Sequence, residues 1–271
     1  MSLPALDPEQ LDRYSRQIVM EDIGPDGQGA LLDGSVLIVG IGGLGSPIVQ
    51  YLAAAGVGRL GLADGDSVER SNLQRQVIHG TDDIGRPKVT SAAEFVTDLN
   101  PDVTVETHET DLTPESAESL IAEYDIVVDA TDNFPARFLV NDACTLAGTP
   151  FVHGAVYRFE GQVATFDGSG PCYRCLFPEA PPEGAIPDCA TAGVLGVLPG
   201  TIGTIQASEV LKHLLDVGDP LAGRILHYDA QTVDFESVPL RARPDCPICG
   251  DQPAIDTVTD GNYGGDCTLP E

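Results

Sequence analysis

Val36-Leu37-Ile38-Val39-Gly40-Ile41-Gly42-Gly43-Leu44-Gly45 passes from four consecutive apolar residues into a loop in which four of six positions are glycine. An uninterrupted apolar tetrapeptide suits a strand covered on both faces. Leu44 to Ala55 suits a helix, with Pro47 tolerated in its first turn. A glycine-rich loop between strand and helix is the setting of a nucleotide site. Glycines let the backbone approach phosphate or ribose, and the helix N-terminus favours negative charge. Asp64 ends the next predicted strand, Arg59 to Asp64, at about the right remove to accept hydrogen bonds from ribose hydroxyls. The pattern selects an adenine nucleotide without separating NAD from ATP. The absence of Gly-x4-Gly-Lys-Ser/Thr excludes a P-loop.

Outward from this unit the chain keeps alternating. Helices are predicted over Lys88–Asn100, Pro114–Glu123 and Phe134–Ala147, and strands over Val103–Thr107 and Tyr124–Ala130. Alternation of this kind predicts a doubly wound, Rossmann-like, mostly parallel sheet. Upstream, Asp7 to Ile18 reads as one helix and Gly24 to Gly29 as a glycine-rich turn. After Pro150 the pattern changes: Phe151–Val156 and Gln162–Phe166 read as strands joined through Glu160-Gly161. Pro171–Asp188 is a proline-rich loop, Gly193–Asp216 is mostly helical, and Arg224–Tyr228 with Thr232–Val238 form a hairpin. The C-terminal strands therefore extend the sheet antiparallel. Residues 1–250 read as a single adenine-nucleotide domain and 251–271 as an acidic, mobile tail.

The charge is extreme: 14 Lys plus Arg against 42 Asp plus Glu, a net −28, with Lys88 and Lys212 the only lysines. The carboxylates are dispersed. A dispersed acidic surface predicts a halophilic protein, because molar salt screens the self-repulsion. The lack of a basic patch argues against direct nucleic-acid binding. No apolar stretch is long enough to span a membrane, since Val194–Ile205 is short and broken by glycine and proline. A cytoplasmic location is expected.

Four further constellations carry chemistry. Ser71-Asn72-Leu73-Gln74-Arg75-Gln76 precedes Gly85-Arg86-Pro87-Lys88, and in so cation-poor a chain clustered cations suggest phosphate binding. Asp132, in Asp129-Ala130-Thr131-Asp132-Asn133, falls at the C-terminal end of a parallel strand, where a carboxylate either holds Mg²⁺ or caps the following helix. Cys172-Tyr173-Arg174-Cys175 and Cys246-Pro247-Ile248-Cys249 are two C-x₂-C pairs. They suit a closed tetrahedral Zn²⁺ site, the alternative being buried or redox thiols. Cys189 lies in a loop just before a predicted helix, where a thiolate could be stabilised. Cys144 falls in a helix and reads as core.

Together Arg13-Tyr14-Ser15-Arg16-Gln17-Ile18, Gly40–Gly45, Ser71–Gln76, Thr131-Asp132-Asn133 and the cysteine pairs resemble the MoeB/ThiF branch of the ubiquitin-activating superfamily. They are most similar to archaeal members that activate small modifier and sulfur-carrier proteins. The resemblance covers about residues 10 to 250. It implies a homodimer that uses ATP and Mg²⁺ to adenylate the C-terminal glycine of a ubiquitin-fold modifier or sulfur carrier ending in Gly-Gly. That product would serve protein conjugation, or thiocarboxylate formation for molybdopterin synthesis and tRNA thiolation. The nucleotide would be held by Gly40, Gly42, Gly43, Asp64, Ser71, Asn72, Leu73, Gln74, Arg75, Lys88, Asp132 and Asn133. The resemblance further implies a structural zinc, Arg16 reaching the partner's site, and Cys189 as thioester or sulfur-transfer nucleophile, or dispensable. With no room for a rhodanese-like domain after Cys249, the sulfur donor would be another molecule. Two other classes compete: an NAD-dependent oxidoreductase, which leaves Arg75, Lys88 and the cysteine pairs unexplained, and a non-catalytic scaffold, against which Arg16, Asp64, Arg75, Lys88 and Asp132 together argue.

Overall fold

The computed structural model describes residues 6–179, 193–259 and 263. Its spine is one sheet. Strands β1 (Ser35–Val39), β2 (Arg59–Ala63), β3 (Thr104–His108), β4 (Ile126–Asp129) and β5 (Phe151–Tyr157) run parallel, while β6 (Glu160–Phe166), β7 (Arg224–Asp229) and β8 (Asp234–Pro239) continue it antiparallel. The spatial order is β3-β2-β1-β4-β5-β6-β7-β8. Sequence order reverses between β1 and β4, so the loops leaving them diverge and open a crevice at the carboxyl edge, where open α/β sheets bind ligands.

Each face of the sheet has its own core. On one, β1 Val36 and Ile38 pack with Ile48 and Leu52 of helix α4 (Gly45–Ala55), Val89 and Val96 of α5 (Lys88–Leu99), and Ile202 and Val210 of α9 (Val197–Leu215). On the other, Leu37 and Val39 meet Ile121 of α6 (Pro114–Ile121) and Phe138 and Leu139 of α7 (Phe134–Ala147). Both faces of β1 are thus buried, as its unbroken apolar run requires.

Several stretches depart from the sequence reading. The expected helix over Asp7–Ile18 is two, α1 (Pro8–Arg13) and α2 (Ser15–Ile18), broken at Tyr14. Tyr14 turns inward, is 1% exposed, and its hydroxyl donates to Asp102 Oδ2 at 3.0 Å and accepts from Asn100 Nδ2 at 2.9 Å. Gly24–Gly29 is the start of helix α3 (Gly24–Asp33), with Pro25 in its first turn. Gly27, and Gly34 just past the helix, serve packing: a Cβ at Gly27 would lie 3.1 Å from Leu215, and one at Gly34 would lie 3.2 Å from Leu214, both on α9. Within the expected loop after Pro171, Tyr173–Leu176 forms a single helical turn, α8. Beyond Gly250 the chain continues against the body, with Ile255 N–H bonded to Pro247 O at 2.9 Å and Val258 N–H to Glu118 at 3.0 Å. Among the described residues no helix is long and apolar enough to cross a membrane.

Candidate active site

At the switch point lies a cavity of about 590 Å³, lined by the β1–α4 loop, the end of β2, the Arg75–Lys88 region and the loop after β4. Backbone geometry dictates the glycines. Gly40 has φ +96°, and a Cβ there would lie 2.7 Å from Ala130 O; a Cβ on Gly45 would lie 2.1 Å from Gly40 O. No L side chain fits either position without moving the loop. Gly42 and Gly43 line the cavity itself, beside the N-terminus of α4.

Asp64 is 9% exposed. Its Oδ2 accepts from Ile41 N–H at 2.7 Å and its Oδ1 from Asp66 N–H at 2.8 Å, so loop and strand end are tied through one carboxylate. Burial pushes its pKa up, against the opposing pull of Lys88 and these two amides. Lys88, first residue of α5, is 6% exposed, and its Nζ reaches Asp66 at 2.6 Å and Asp64 at 3.7 Å. His79 supports the same wall, Nδ1 on Ser91 Oγ at 2.9 Å and Nε2 on Ile41 O at 3.3 Å; burial lowers its pKa and keeps it neutral.

Opposite, the loop after β4 carries Thr131, Asp132 and Asn133. Asn133, not Asp132, caps α7: its Oδ1 accepts from Ala136 N–H at 2.9 Å. Of the two roles open to Asp132 in the sequence, capping is therefore taken by its neighbour. The exposed Asp132 carboxylate faces the cavity with one long contact, 3.4 Å to Asn133 Nδ2.

The structure brings Gly40, Gly42, Gly43, Asp64, Arg75, Lys88, Asp132 and Asn133 around one cavity. It does not bring Ser71, Asn72, Leu73 or Gln74 to the wall. Asn72 is buried and its Oδ1 accepts from Glu69 N–H; Ser71 O accepts from Arg75; Gln74 lies where a Cβ on Gly196 would touch it. That segment shapes the site from behind. Arg16 on α2 is exposed, outside this cavity's lining, and without an ion pair among the described residues. Cys189 and Cys267 lie outside the described residues. Cys144 is buried in α7, where burial raises its pKa well above the usual thiol value, so it is inert core.

Two lining residues outside the sequence-derived set carry buried polar atoms without a partner among the described residues. Gln76 is 4% exposed, and the atom is its Oε1. Arg137, four residues past Asn133, donates to Thr131 O at 3.2 Å, and the atom is its Nε. Arg137 was open to the argument applied to Lys88, since a cation beside a strand-end loop is costly to leave unexplained in this chain. Gln76 carried no such signal.

Away from the cavity, Cys172, Cys175, Cys246 and Cys249 converge, all four sulfurs lying within 4.8 Å of one another. The closest pairs stand at 3.4 to 3.5 Å. A tetrahedral site with Zn–S bonds of about 2.3 Å spaces its sulfurs about 3.8 Å apart, so this thiol set fits zinc. The cluster joins α8 to the segment after β8. α8 is itself bolted to α7 by Arg174, which binds Asp142 through Nε at 2.7 Å and Nη2 at 2.6 Å.

Sheet order, glycine loop, buried ribose-type carboxylate and cations supplied from outside any P-loop define a Rossmann-like nucleotide-binding protein equipped for a polyphosphate. The chain belongs to the ThiF family, whose model matches residues 14–248. It is 57% identical to the SAMP-activating enzyme E1 of Haloferax volcanii, across 98% of both chains. It is 52% identical to the sulfur carrier protein adenylyltransferase of Thermus thermophilus, over 96% of this chain and 98% of that one. It is also 49% identical to the adenylyltransferase and sulfurtransferase MOCS3 of Sus scrofa, over 97% of this chain but 58% of the relative. Among solved structures, E. coli MccB superposes with a TM-score of 0.79 at 22% identity, covering 88% of this chain and 75% of that one, a likeness of fold.

Proposed function

We propose that this chain is an ATP-dependent adenylyltransferase that activates the C-terminal glycine carboxylate of a ubiquitin-fold modifier or sulfur-carrier protein. The observation that carries the reading is the ring of Asp64, Arg75, Lys88, Arg137 and Asp132 around one glycine-walled cavity. The names of the relatives point to the same chemistry. A carboxylate is a poor acyl donor. Its oxygen attacks the α-phosphorus of ATP, the bond to the β,γ-unit breaks, and pyrophosphate leaves with the electron pair. Such a step is driven by alignment and charge neutralisation. In this reading Asp64 accepts the ribose hydroxyls and fixes the nucleotide's register. Lys88 exchanges Asp66 for phosphate oxygens, and Arg75 and Arg137 line the path of the departing charge.

Asp132, its oxygens not used for capping, is the residue fit to hold Mg²⁺, a hard cation that takes oxygen ligands. Bound with the nucleotide, Mg²⁺ supplies charge neutralisation on the phosphates. Four cysteines would hold zinc, whose role in a closed site is to join segments. The adenylating unit is residues 1–250, with 251–271 an appended tail. It works as a homodimer, to which Arg16 contributes across the interface, in keeping with its exposure and its absence from its own chain's cavity lining. The Cys189 thiolate, or the outer sulfur of a persulfide on a separate donor, then attacks the acyl carbon, and the C–O bond to phosphate breaks with AMP leaving.

The test is ATP–pyrophosphate exchange with a ubiquitin-fold protein ending in Gly-Gly. Exchange should require the intact tail and disappear in Asp132→Ala; retention near the wild-type rate would remove Asp132 from the mechanism. The same assay on Cys189→Ser should show exchange intact and thioester formation lost. Thioester formation surviving in Cys189→Ser would exclude that residue as the acceptor.

A further inference from the structure

Behind the Asp132 loop lies a buried polar relay. Asp129, the last residue of β4, and His153 of β5 are directly opposed in register, 1% and 0% exposed. His153 Nδ1 and Asp129 Oδ2 are 2.7 Å apart. The other oxygen, Oδ1, accepts from Thr131 Oγ1 at 2.6 Å and Thr131 N–H at 3.1 Å. On its far side, His153 Nε2 lies 3.1 Å from Gln162 Nε2 of β6. An amide Nε2 only donates, so His153 Nε2 accepts, and the ring proton is on Nδ1, directed at Asp129. Donors run one way, from Gln162 through His153 to the carboxylate. Burial lowers the His153 pKa and keeps the ring neutral; for Asp129, burial acts upward most strongly, but His153, the Arg137 charge and the Thr131 bond together outweigh it, and the group is held below the usual carboxylate range.

We propose that His153 is a positioning residue for nucleotide activation: through Asp129 it locks the Thr131 peptide and thereby aims the Asp132 carboxylate at the metal–phosphate position in the cavity. This rests on the adenylation reading above. Three observations support it. First, among the described residues Asp132 makes only one long side-chain contact, so its direction is set chiefly by its backbone. Second, all three polar atoms of Thr131 are held: N and Oγ1 by Asp129, and O by Arg137 Nη2 at 3.2 Å. The carbonyl of Asp129 is also held, by Gln206 Nε2 of α9 at 2.9 Å. Third, the neighbours of the pair along β4 and β5 are the fully packed Val127, Val128, Phe151 and Val152, so an apolar pair would serve packing alone. Removing one partner from a buried hydrogen bond to a charged group is costly, whereas apolar groups of the same shape in place of both partners can be nearly neutral. A buried carboxylate here is explained by what its second oxygen holds.

The experiment uses the full chain and two variants, His153→Leu and His153→Gln, the latter restoring an N–H donor toward Asp129. ATP binding is measured by calorimetry with and without Mg²⁺, with no modifier present; exchange is measured in parallel. His153→Leu should bind ATP normally without metal but lose about tenfold of affinity with Mg²⁺, the scale seen when a residue that orients a metal ligand is removed. His153→Gln should recover most of that loss. A purely structural role would weaken both conditions equally. Equal weakening, or an unchanged His153→Leu, overturns the proposal. Should His153→Leu fail to fold, Thr131→Val, which deletes only the 2.6 Å hydroxyl bond, decides by the same Mg²⁺-specific loss or its absence. Asp132→Ala keeps the two readings apart: if it retains exchange, the role given to Asp132 fails; if it loses exchange while the His153 variants behave as wild type, only the positioning role fails.

Discussion

Two histidines tie single-residue chemistry to stability. His79 beneath the glycine loop and His153 behind the Asp132 loop are both buried, and burial depresses the pKa of each. In the unfolded chain each titrates near the usual value of about 6.5. As pH falls below that value, the unfolded chain binds protons that the native chain refuses, so stability is complete above about 6.5 and declines below it. Each histidine contributes up to about 1.4 kcal/mol per pH unit across the window between its folded and unfolded pKa. Asp64, raised by burial, acts in the opposite sense. Thermal unfolding at high salt should therefore be compared at pH 7.5 and 5.5 in the wild type and in His79→Gln and His153→Gln, which leave Asp64 in place. The acid-side loss should be smaller in each variant than in the wild type. Equal losses in all three would show that neither ring is kept neutral by the fold.

At the scale of elements, α8 is one turn long, too short to hold a place by its own hydrogen bonds. Its position comes from what it is fastened to: the cysteine cluster on one side, and α7 through Arg174 and Asp142 on the other. α7 begins at the Asp132 loop, so the four-cysteine cluster, through α8, and the glycine-walled cavity lean on one helix. Purified protein should carry about one zinc per chain. Cys246→Ser should lose the metal and lower the unfolding midpoint while leaving ATP binding measurable at low temperature. A Cys172–Cys175 disulfide in metal-free, fully stable protein would refute the zinc assignment. This site was legible beforehand because paired spacing identifies cysteine ligands whatever the fold between them. The glycine loop and Asp64 were legible for a similar reason, since strand, loop and acceptor follow in sequence order. Gly24–Gly29 reads as a turn in the sequence because the residue that Gly27 packs against, Leu215 of α9, lies far along the chain. The Asp129–His153 relay was invisible because a strand pairing, not a motif, brings the two together. Whether Asp132 caps α7 is not legible in the sequence, because the adjacent Asn133, which does so, is an equally good capping type.

Across the whole molecule, the net charge of −28 leaves cations scarce, and two of the lining cations, Arg75 and Arg137, make no carboxylate ion pair among the described residues. Scarcity sharpens their meaning, and it sharpens that of Arg16, exposed and outside the lining of its own chain's cavity. In demonstrated mixed dimers of Arg16→Ala and Asp132→Ala chains, one of the two composite sites should be intact and part of the exchange activity should return. No recovery would place Arg16 within its own chain's site. The acidic surface accords with the likeness to a Haloferax volcanii protein, so these assays belong in molar KCl, where screening acts over only about 3 Å. The most direct measurement is the intact mass of a Gly-Gly-terminated ubiquitin-fold protein after incubation with this chain, ATP, Mg²⁺ and pyrophosphatase, with no acceptor present. The expected result is an AMP adduct on the C-terminal glycine, absent with Asp132→Ala and absent from a modifier lacking its Gly-Gly tail. ATP consumed with the modifier's mass and linkage state unchanged, or an adduct away from the C-terminus, would contradict it.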